Sequence, residues 1–283
     1  MNDITTDPLP TIIIAPTRGL AALQLRALWE YRELLGFLVW RDVKVRYKQT
    51  ALGATWIILQ PLVSTLIFTV LFGYLLQTPS DGAPYAVFAY AGLLPWNYFA
   101  GSLTRASQSL VGSANLITKV YFPRLVIPIS GVLGGLVDFG VAGLVLVGLM
   151  AFYRIPPTVH IIWLPAFLLL AMATALGFGL WLAALNVRYR DVNYLVPFLV
   201  QTWMYLTPVV YSVALIPERF RWLLALNPMT GVVSGFRWAL LGGVMEAEPP
   251  GVLFGASVGV ALMVLASGAI FFRSTERTFA DVV

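Results

Sequence analysis

Few side chains in this sequence could carry acid–base, nucleophilic or metal chemistry. The chain has no cysteine, a single histidine, His160, and no HExxH pattern. It therefore offers no disulfide, no thiolate nucleophile and no Cys-ligated metal site. The dipeptide Gly-Lys does not occur either, so the phosphate-binding loop of many ATP-hydrolysing proteins is missing. We expect a protein that is not an enzyme and binds no cofactor or metal itself, with His160 as an exposed loop residue.

Asp138 is the ionisable residue nearest to the middle of a long apolar stretch. Ionisable groups inside a membrane often serve proton or ion transport. They also serve as polar contacts between neighbouring helices, and the sequence shows no clear partner for a proton relay. Both interpretations of Asp138 stay open at this point, and the chain has no evident energy source of its own.

The composition identifies the protein class. Of 283 residues, 59% are hydrophobic and 11% are charged, and the mean hydropathy is +0.82. Soluble domains carry roughly 25% charged residues, so this chain lacks the polar cover that a soluble protein needs. The sequence predicts a membrane protein that crosses the bilayer several times.

Six segments are long and apolar enough, or nearly so, to cross a bilayer as helices. The predicted spans are Thr55–Leu76, Pro84–Leu103, Leu125–Tyr153, Ile161–Val187, Tyr194–Ile216 and Val252–Phe272. With this division, 14 of the 18 Lys and Arg residues fall on one side, Arg105 among them, and Arg237 falls on the other. Basic residues favour the cytoplasmic side, so both termini are expected there. The net charge of +5 then reflects orientation and does not indicate nucleic-acid binding.

The segment Leu20–Gln49 is basic and amphipathic. Trp40, Val43 and Tyr47 share one helical face. The other face carries Arg41, Lys44 and Lys48. A helix of this kind commonly lies in the membrane interface, and a soluble helix packed on cytoplasmic loops is the alternative.

The segment Pro217–Gly251 is too polar to span a membrane and too apolar for a free loop. Asn227-Pro228 is typical of a helix start and Gly242-Gly243 of a helix end. We expect two short re-entrant helices here, in the outer leaflet and before the last span.

The stretch SANLITKVYFPR, residues 113–124, is a polar island between apolar segments. It predicts a short helix that begins at Ser113 and is ended by Pro123. Leu116, Val120 and Tyr121 would form its apolar side. Such a helix suits docking into a groove of a partner protein, although a helix lying on lipid headgroups would show the same pattern.

Aromatic residues cluster in the second and fifth spans. They suit an interfacial belt or a lining on which sugar rings stack. Small residues at GxxxG spacing, Gly131 with Gly135 and Gly251 with Gly255 and Gly259, are further candidates for close helix packing.

Four stretches together resemble a known family. They are FLVWRDVKVRYKQTALGATWIILQPL, LLPWNYFAGSL, NLITKVYFPRLVIPIS and ALNVRYRDVNYLVPFLVQTWMYLTPVVY. They are similar to the membrane subunit of ABC type-two polysaccharide exporters, which export lipid-linked O-antigen, capsule or teichoic acid chains. The resemblance runs from about Trp29 to Phe272.

The resemblance implies an all-α membrane protein with six transmembrane helices, an N-terminal interfacial helix, two re-entrant helices and cytoplasmic termini in the inner membrane. The expected parts are a tail (1–19), the amphipathic helix (20–50), one transmembrane domain (51–273) and a C-terminal tail (274–283). It also implies a homodimer that binds two copies of a separate ATPase, which holds ATP and Mg²⁺.

The resemblance assigns roles to three groups of residues. Contacts with the ATPase are expected from Asn115, Leu116, Lys119, Val120, Tyr121, Arg188, Arg190 and Asp191. The polysaccharide path is expected to use Tyr90, Trp96, Tyr98, Phe99, Trp203, Tyr205 and Tyr211. Candidates for the entrance of the polyprenyl diphosphate are Arg41, Lys44, Arg46 and Lys48, which would equally serve as positive-inside anchors.

Two rival functions remain at this stage. One is an exporter of drugs or small lipids on the same scaffold, in which the aromatics would close a pocket. The other is an ion-coupled carrier with Asp138 as its coupling group.

Overall fold

The computed structural model describes residues 25–48, 55–245, 251–276 and 279, and the regular elements in them are all helical. The all-α prediction is thereby confirmed for these residues. The α-helices are α1 (Leu25–Glu30), α2 (Arg32–Lys48), α3 (Thr55–Phe68), α4 (Tyr85–Gly112), α5 (Ala114–Lys119), α6 (Val126–Leu133), α7 (Gly135–Phe152), α8 (Leu164–Arg188), α9 (Val192–Leu206), α10 (Glu218–Ala225), α11 (Pro228–Leu241) and α12 (Val252–Thr275). A π-helical segment, Thr69–Leu75, extends α3, and 3-10 segments are Val159–Trp163 and Val213–Leu215. The predicted tail 1–19 lies outside the described residues.

Among the described residues, four helical segments are long and apolar enough to cross a membrane. They are Thr55–Leu75, Val126–Phe152, Val159–Arg188 and Phe254–Thr275, and they correspond to the first, third, fourth and sixth predicted spans. The third is not continuous, because α6 and α7 meet at Gly134. A crossing by the remaining two predicted spans stays a prediction.

The second and fifth predicted spans differ from the observed helices. The helix expected over Pro84–Leu103 continues as α4 to Gly112. The helix expected over Tyr194–Ile216 ends at Leu206, and Thr207 is extended (φ −102°, ψ 138°). Thr207 precedes Pro208, and a residue before proline is pushed out of the helical region. The prediction of one helix through this segment was therefore wrong.

Helix α4 is the centre of the packing. It contacts α3, α6, α7, α8, α9 and α11, and side chains around its whole circumference are buried. A helix that is buried all round needs apolar residues on every face, and Phe88, Leu93 and Tyr98, all buried, lie on three different sides of α4. A second cluster of buried residues joins α2, α5, α6, α8 and α12 and contains Leu38, Ile117, Val126, Val187 and Phe272.

Close helix contacts occur at glycines, but not at all of those predicted. Gly131 and Gly135 lie against Arg105 on α4, as their spacing suggests. A Cβ at Gly255 or Gly259 would meet no described atom within 4 Å. Helices α8 and α12 instead approach through Gly177 and Gly268, where an added Cβ would collide with backbone.

The two short helices before the last span are present as α10 and α11. Asn227 caps α11 by accepting a hydrogen bond from the Met229 backbone N–H at 3.1 Å, and Pro228 is its first residue. Gly242 follows its last turn. The predicted start and end of α11 are confirmed, whereas the depth of both helices in the membrane stays a prediction.

Candidate functional site

The polar island folds as α5 and a short extended segment. Helix α5 begins after Ser113, as predicted, but ends at Lys119 rather than at Pro123. Ile117 is buried and Phe122, beyond the helix, is also buried. Val120 and Tyr121 are 52% and 82% exposed, and they lie beyond the helix on which they were predicted. The chain turns extended at Val120, and this rotates both side chains outward.

A second exposed turn rests on the same hydrophobic cluster. The four residues from Arg188 to Asp191 are exposed after the end of α8, while Val187 is buried in the second cluster with Ile117 and Phe122. Asn186 fixes this turn because its Nδ2 donates to the Ser107 carbonyl of α4 at 2.9 Å. Since α4 leads directly into α5, the two predicted docking elements share one support.

The end of α12 is tied to the same region. The Arg124 backbone N–H donates to Glu276 Oε1 at 3.3 Å, and the Arg124 guanidinium donates to the Glu276 carbonyl. Arg273 and Glu276 form an ion pair at 2.6 Å. The sequence analysis assigned no role to Glu276, although its i,i+3 spacing from Arg273 is a recognisable signal.

Helix α2 packs on the protein through part of its surface. Leu38 and Val43 are buried, whereas Trp40 is 65% exposed, and the position of this helix in the membrane interface stays a prediction. Among the entrance candidates, Lys44 and Lys48 are exposed. Arg41 pairs with its neighbour Asp42 at 2.8 Å.

The fourth entrance candidate, Arg46, is turned inward and forms an ion pair with Asp138 of α7. Tyr47 donates its hydroxyl to Asp138 Oδ1 at 2.5 Å, and Arg105 Nη1 lies 3.7 Å from Asp138 Oδ2. Burial and this hydrogen bond raise the pKa of Tyr47 above its usual range, so its hydroxyl remains a donor. Asp138 therefore has the partners that the sequence did not show. We call Arg46, Tyr47, Arg105 and Asp138 the carboxylate cluster.

Gly135 makes room for the carboxylate cluster. A Cβ on this residue would collide with the Arg105 guanidinium. Arg105 is further fixed by donating to the Gly131 carbonyl at 2.9 Å and to Ser102 Oγ at 3.1 Å. Arg105 was predicted to lie in the connection after the second span. Because α4 continues to Gly112, Arg105 lies within this helix instead.

Comparison with known proteins now identifies the family. The model of the ABC-2 type transporter family matches residues 33–241. The chain belongs to this family. A protein named O-antigen export system permease protein RfbA from Myxococcus xanthus is 32% identical over 262 residues, which are 92% of this chain and 98% of the relative.

Two further relatives cover most of the chain. A protein of the same name from Klebsiella pneumoniae is 29% identical over 89% of this chain and 95% of the relative. The Polysialic acid transport protein KpsM of Escherichia coli is 23% identical over 84% of this chain and 91% of the relative. The family and the apolar helices make this chain a multi-pass inner-membrane permease.

In this ABC-2 permease, four of the seven predicted path aromatics are enclosed by their own subunit. Tyr90, Trp96, Tyr98 and Phe99 are each at most 4% exposed. Tyr90 and Tyr98 donate their hydroxyls to the carbonyls of Ala142 and Val132. In this arrangement these side chains form core contacts and line no open surface. The sequence could not separate a buried from an open aromatic, because both are apolar.

The other three path aromatics lie nearer the surface. Tyr205 is 59% exposed, and Tyr211, half-buried, donates its hydroxyl to the Tyr205 carbonyl at 3.1 Å. Trp203 is also half-buried and donates its indole N–H to Asn227 Oδ1 at 2.9 Å. Their contact with a polymer stays a prediction.

Arg237 is a buried arginine that the sequence analysis placed among outer basic residues. It lies in α11, 4% exposed, with its guanidinium 3.6 Å from the centre of the Phe88 ring. It donates to the carbonyls of Phe88, Pro208 and Tyr211 at 3.2, 2.7 and 3.3 Å, and also to that of Val209. Three of these carbonyls, those of Pro208, Val209 and Tyr211, belong to the non-helical segment after α9 and lack the acceptor role that a helix would give them. We call Arg237 and these acceptors the carbonyl clamp.

The single histidine is not the exposed loop residue that was expected. His160 lies in a 3-10 segment, and its ring is 4.3 Å from that of Trp238 on α11. Its Nδ1 atom is buried with no hydrogen-bond partner among the described residues. Within the described ranges, no group of three His, Cys, Asp or Glu residues could hold a metal ion.

Proposed function

We propose that this chain is the membrane subunit of an ATP-driven exporter that moves a polyprenyl-diphosphate-linked polysaccharide, O-antigen, out of the cytoplasm. The observation that carries the proposal is the full-length similarity to two proteins named as O-antigen export permeases, over 89% and 92% of this chain. The chain has no ATP-binding loop, so hydrolysis belongs to a separate ATPase that holds ATP and Mg²⁺.

The working unit is a homodimer of this chain with two ATPase copies. The ATPase docks on a surface formed by α5, the extended residues Val120 and Tyr121, and the exposed turn after α8. Their common support is the second hydrophobic cluster, so a push on either element reaches α4, α8 and α12 together. Rigid packing transmits such a displacement because cores deform little.

This support favours docking over the alternative that α5 lies on lipid headgroups. Tyr121 is 82% exposed beside the exposed Lys119. An aromatic side chain with a polar tip, next to a cation, is typical of protein contacts that seat one residue in a pocket. The ion-coupled alternative is weakened because Asp138 accepts hydrogen bonds from Arg46 and Tyr47 and forms a further ion pair with Arg105 at 3.7 Å.

The docking surface is tested with Tyr121→Ala combined with Lys119→Glu. Loss of an interface anchor typically costs 2 kcal/mol or more, which is about 30-fold in affinity. We expect the ATPase to be lost from the purified complex while the permease remains folded and inserted. The matched control is Phe152→Ala, since Phe152 is 78% exposed at the far end of α7. Unchanged co-purification of the ATPase with the double variant would refute the docking surface.

Export itself is tested by deletion of the gene and complementation. We expect lipid-linked glycan to accumulate inside the deleted cells and surface O-antigen to return with the intact chain. Normal surface glycan in the deletion strain would reject the function.

A further inference from the structure

The carboxylate cluster contains more positive than negative charge among its described members. Two guanidinium groups, Arg46 and Arg105, and one phenol face a single carboxylate, Asp138. The side chains of the three charged residues are 24–30% exposed. The cluster is therefore reachable from outside the subunit, in contrast to a closed core pair.

The donors of this cluster converge and are held in place. Arg105 is fixed on α4 by the Gly131 carbonyl and Ser102 Oγ, which leaves its Nη1 directed towards Asp138. Arg46 and Tyr47 reach the same carboxylate from α2, a separate helix. Two guanidiniums and a hydroxyl around one acceptor form the donor set that phosphate oxygens require.

We propose that the carboxylate cluster is a phosphate-binding site in which Asp138 stands in for the ligand until the ligand arrives. The ligand is the diphosphate of the polyprenyl carrier, so this inference rests on the proposed function and deepens it. The diphosphate accepts hydrogen bonds from Arg46, Arg105 and Tyr47. Asp138 then loses its contacts with them, because two anions in one site repel each other.

The exchange has a mechanical consequence. Arg46 and Tyr47 tie α2 to α7 through Asp138. Once the diphosphate has replaced Asp138, Arg46 and Tyr47 of α2 bind the ligand and no longer contact α7. Binding of substrate thus removes the side-chain tie between α2 and α7, while Leu38 of α2 stays packed in the second hydrophobic cluster, and no covalent step is involved.

An ordinary anionic phospholipid carries the same phosphate chemistry. A diphosphate places more charge and more acceptor oxygens between the two guanidiniums than a phosphodiester does. We therefore expect the polyprenyl diphosphate to bind more tightly than phosphatidylglycerol, which provides one phosphate and one charge.

The test measures binding of a fluorescent polyprenyl diphosphate to the full chain in lipid nanodiscs. Arg105→Gln and Arg46→Gln should each weaken binding by about tenfold or more, since each removes hydrogen bonds to a charged group. Asp138→Asn should tighten binding by about tenfold, because it removes the competing charge. Arg32→Gln is the matched control, since Arg32 lies on the same helix but is exposed at its start and donates to the Trp29 carbonyl at 3.3 Å, and it should change binding less than twofold.

The opposite signs separate a ligand site from a structural ion pair. If Asp138→Asn weakens binding as Arg46→Gln does, the cluster is only structural and the inference is overturned. If excess phosphatidylglycerol displaces the probe as well as unlabelled diphosphate does, the site binds lipid headgroups in general and the assignment to the carrier is wrong. Either result leaves the proposed export function intact if the chain still restores surface O-antigen. If the chain binds the diphosphate but does not restore surface O-antigen, the proposed export function is refuted and the binding site is not.

Discussion

Two arginine centres lie along α4 and are satisfied in different ways. In the carbonyl clamp, Arg237 is 4% exposed, packs on Phe88 and donates only to backbone carbonyls. In the carboxylate cluster, Arg105 is more exposed and faces the side chain of Asp138 from another helix. Backbone carbonyls stay where the chain places them, whereas a carboxylate on a side chain can be exchanged for another anion.

The difference shows which centre holds the fold and which can respond to a ligand. The carbonyl clamp closes the break after α9, where the helix ends at Leu206 and the extended Thr207 leads into Pro208. Removing its cation leaves several buried acceptors unpaired. The carboxylate cluster joins α2, α4 and α7 by side chains alone, so its contacts can separate without breaking backbone hydrogen bonds.

The largest expected effect comes from Arg237→Leu. Loss of a buried, fully engaged charge should lower the free energy of unfolding by about 3–5 kcal/mol. Thermal unfolding in detergent measures the change. Arg219→Leu is the control, because Arg219 also stacks on an aromatic ring, Phe220 at 4.7 Å, but is exposed. Equal stability of the two variants would show that the clamp contributes nothing beyond ring stacking.

A smaller effect is expected from Gly135→Ala. The new methyl group would collide with the Arg105 guanidinium and approach Ser102 Oγ, and overpacking of this kind costs about 1–3 kcal/mol. Gly140→Ala lies on the same helix with open space around it and should leave stability unchanged or slightly raised. If both substitutions change the free energy of unfolding by the same amount, Gly135 is not needed to make room for Arg105.

The smallest effect concerns the ion pair between Arg46 and Asp138. A double-mutant cycle with Arg46→Gln and Asp138→Asn should give a coupling energy of about 1 kcal/mol, because both side chains are partly exposed to solvent. Added salt should reduce this coupling and leave the Arg237→Leu effect unchanged. If the coupling energy does not depend on salt, the pair of Arg46 and Asp138 is shielded from solvent in the same way as the carbonyl clamp.

Features set by neighbouring residues were predictable. The start of α11 at Pro228 and its end at Gly242 follow from local capping chemistry. The apolar length of four spans is likewise a local property. The outward rotation of Tyr121 was not predictable, because helical periodicity assumed a helix that continues to Pro123, whereas the observed helix ends at Lys119.

The sequence by itself determined the membrane class, the helical fold and the positions of α5, α10 and α11, because hydropathy, capping and proline act over a few residues. Only the tertiary structure decided that Trp96 is a core residue, that Arg46 meets Asp138 across 92 positions of chain, and that Arg237 is buried. Those outcomes depend on which helices are neighbours, and residue type alone does not record which faces of two helices meet.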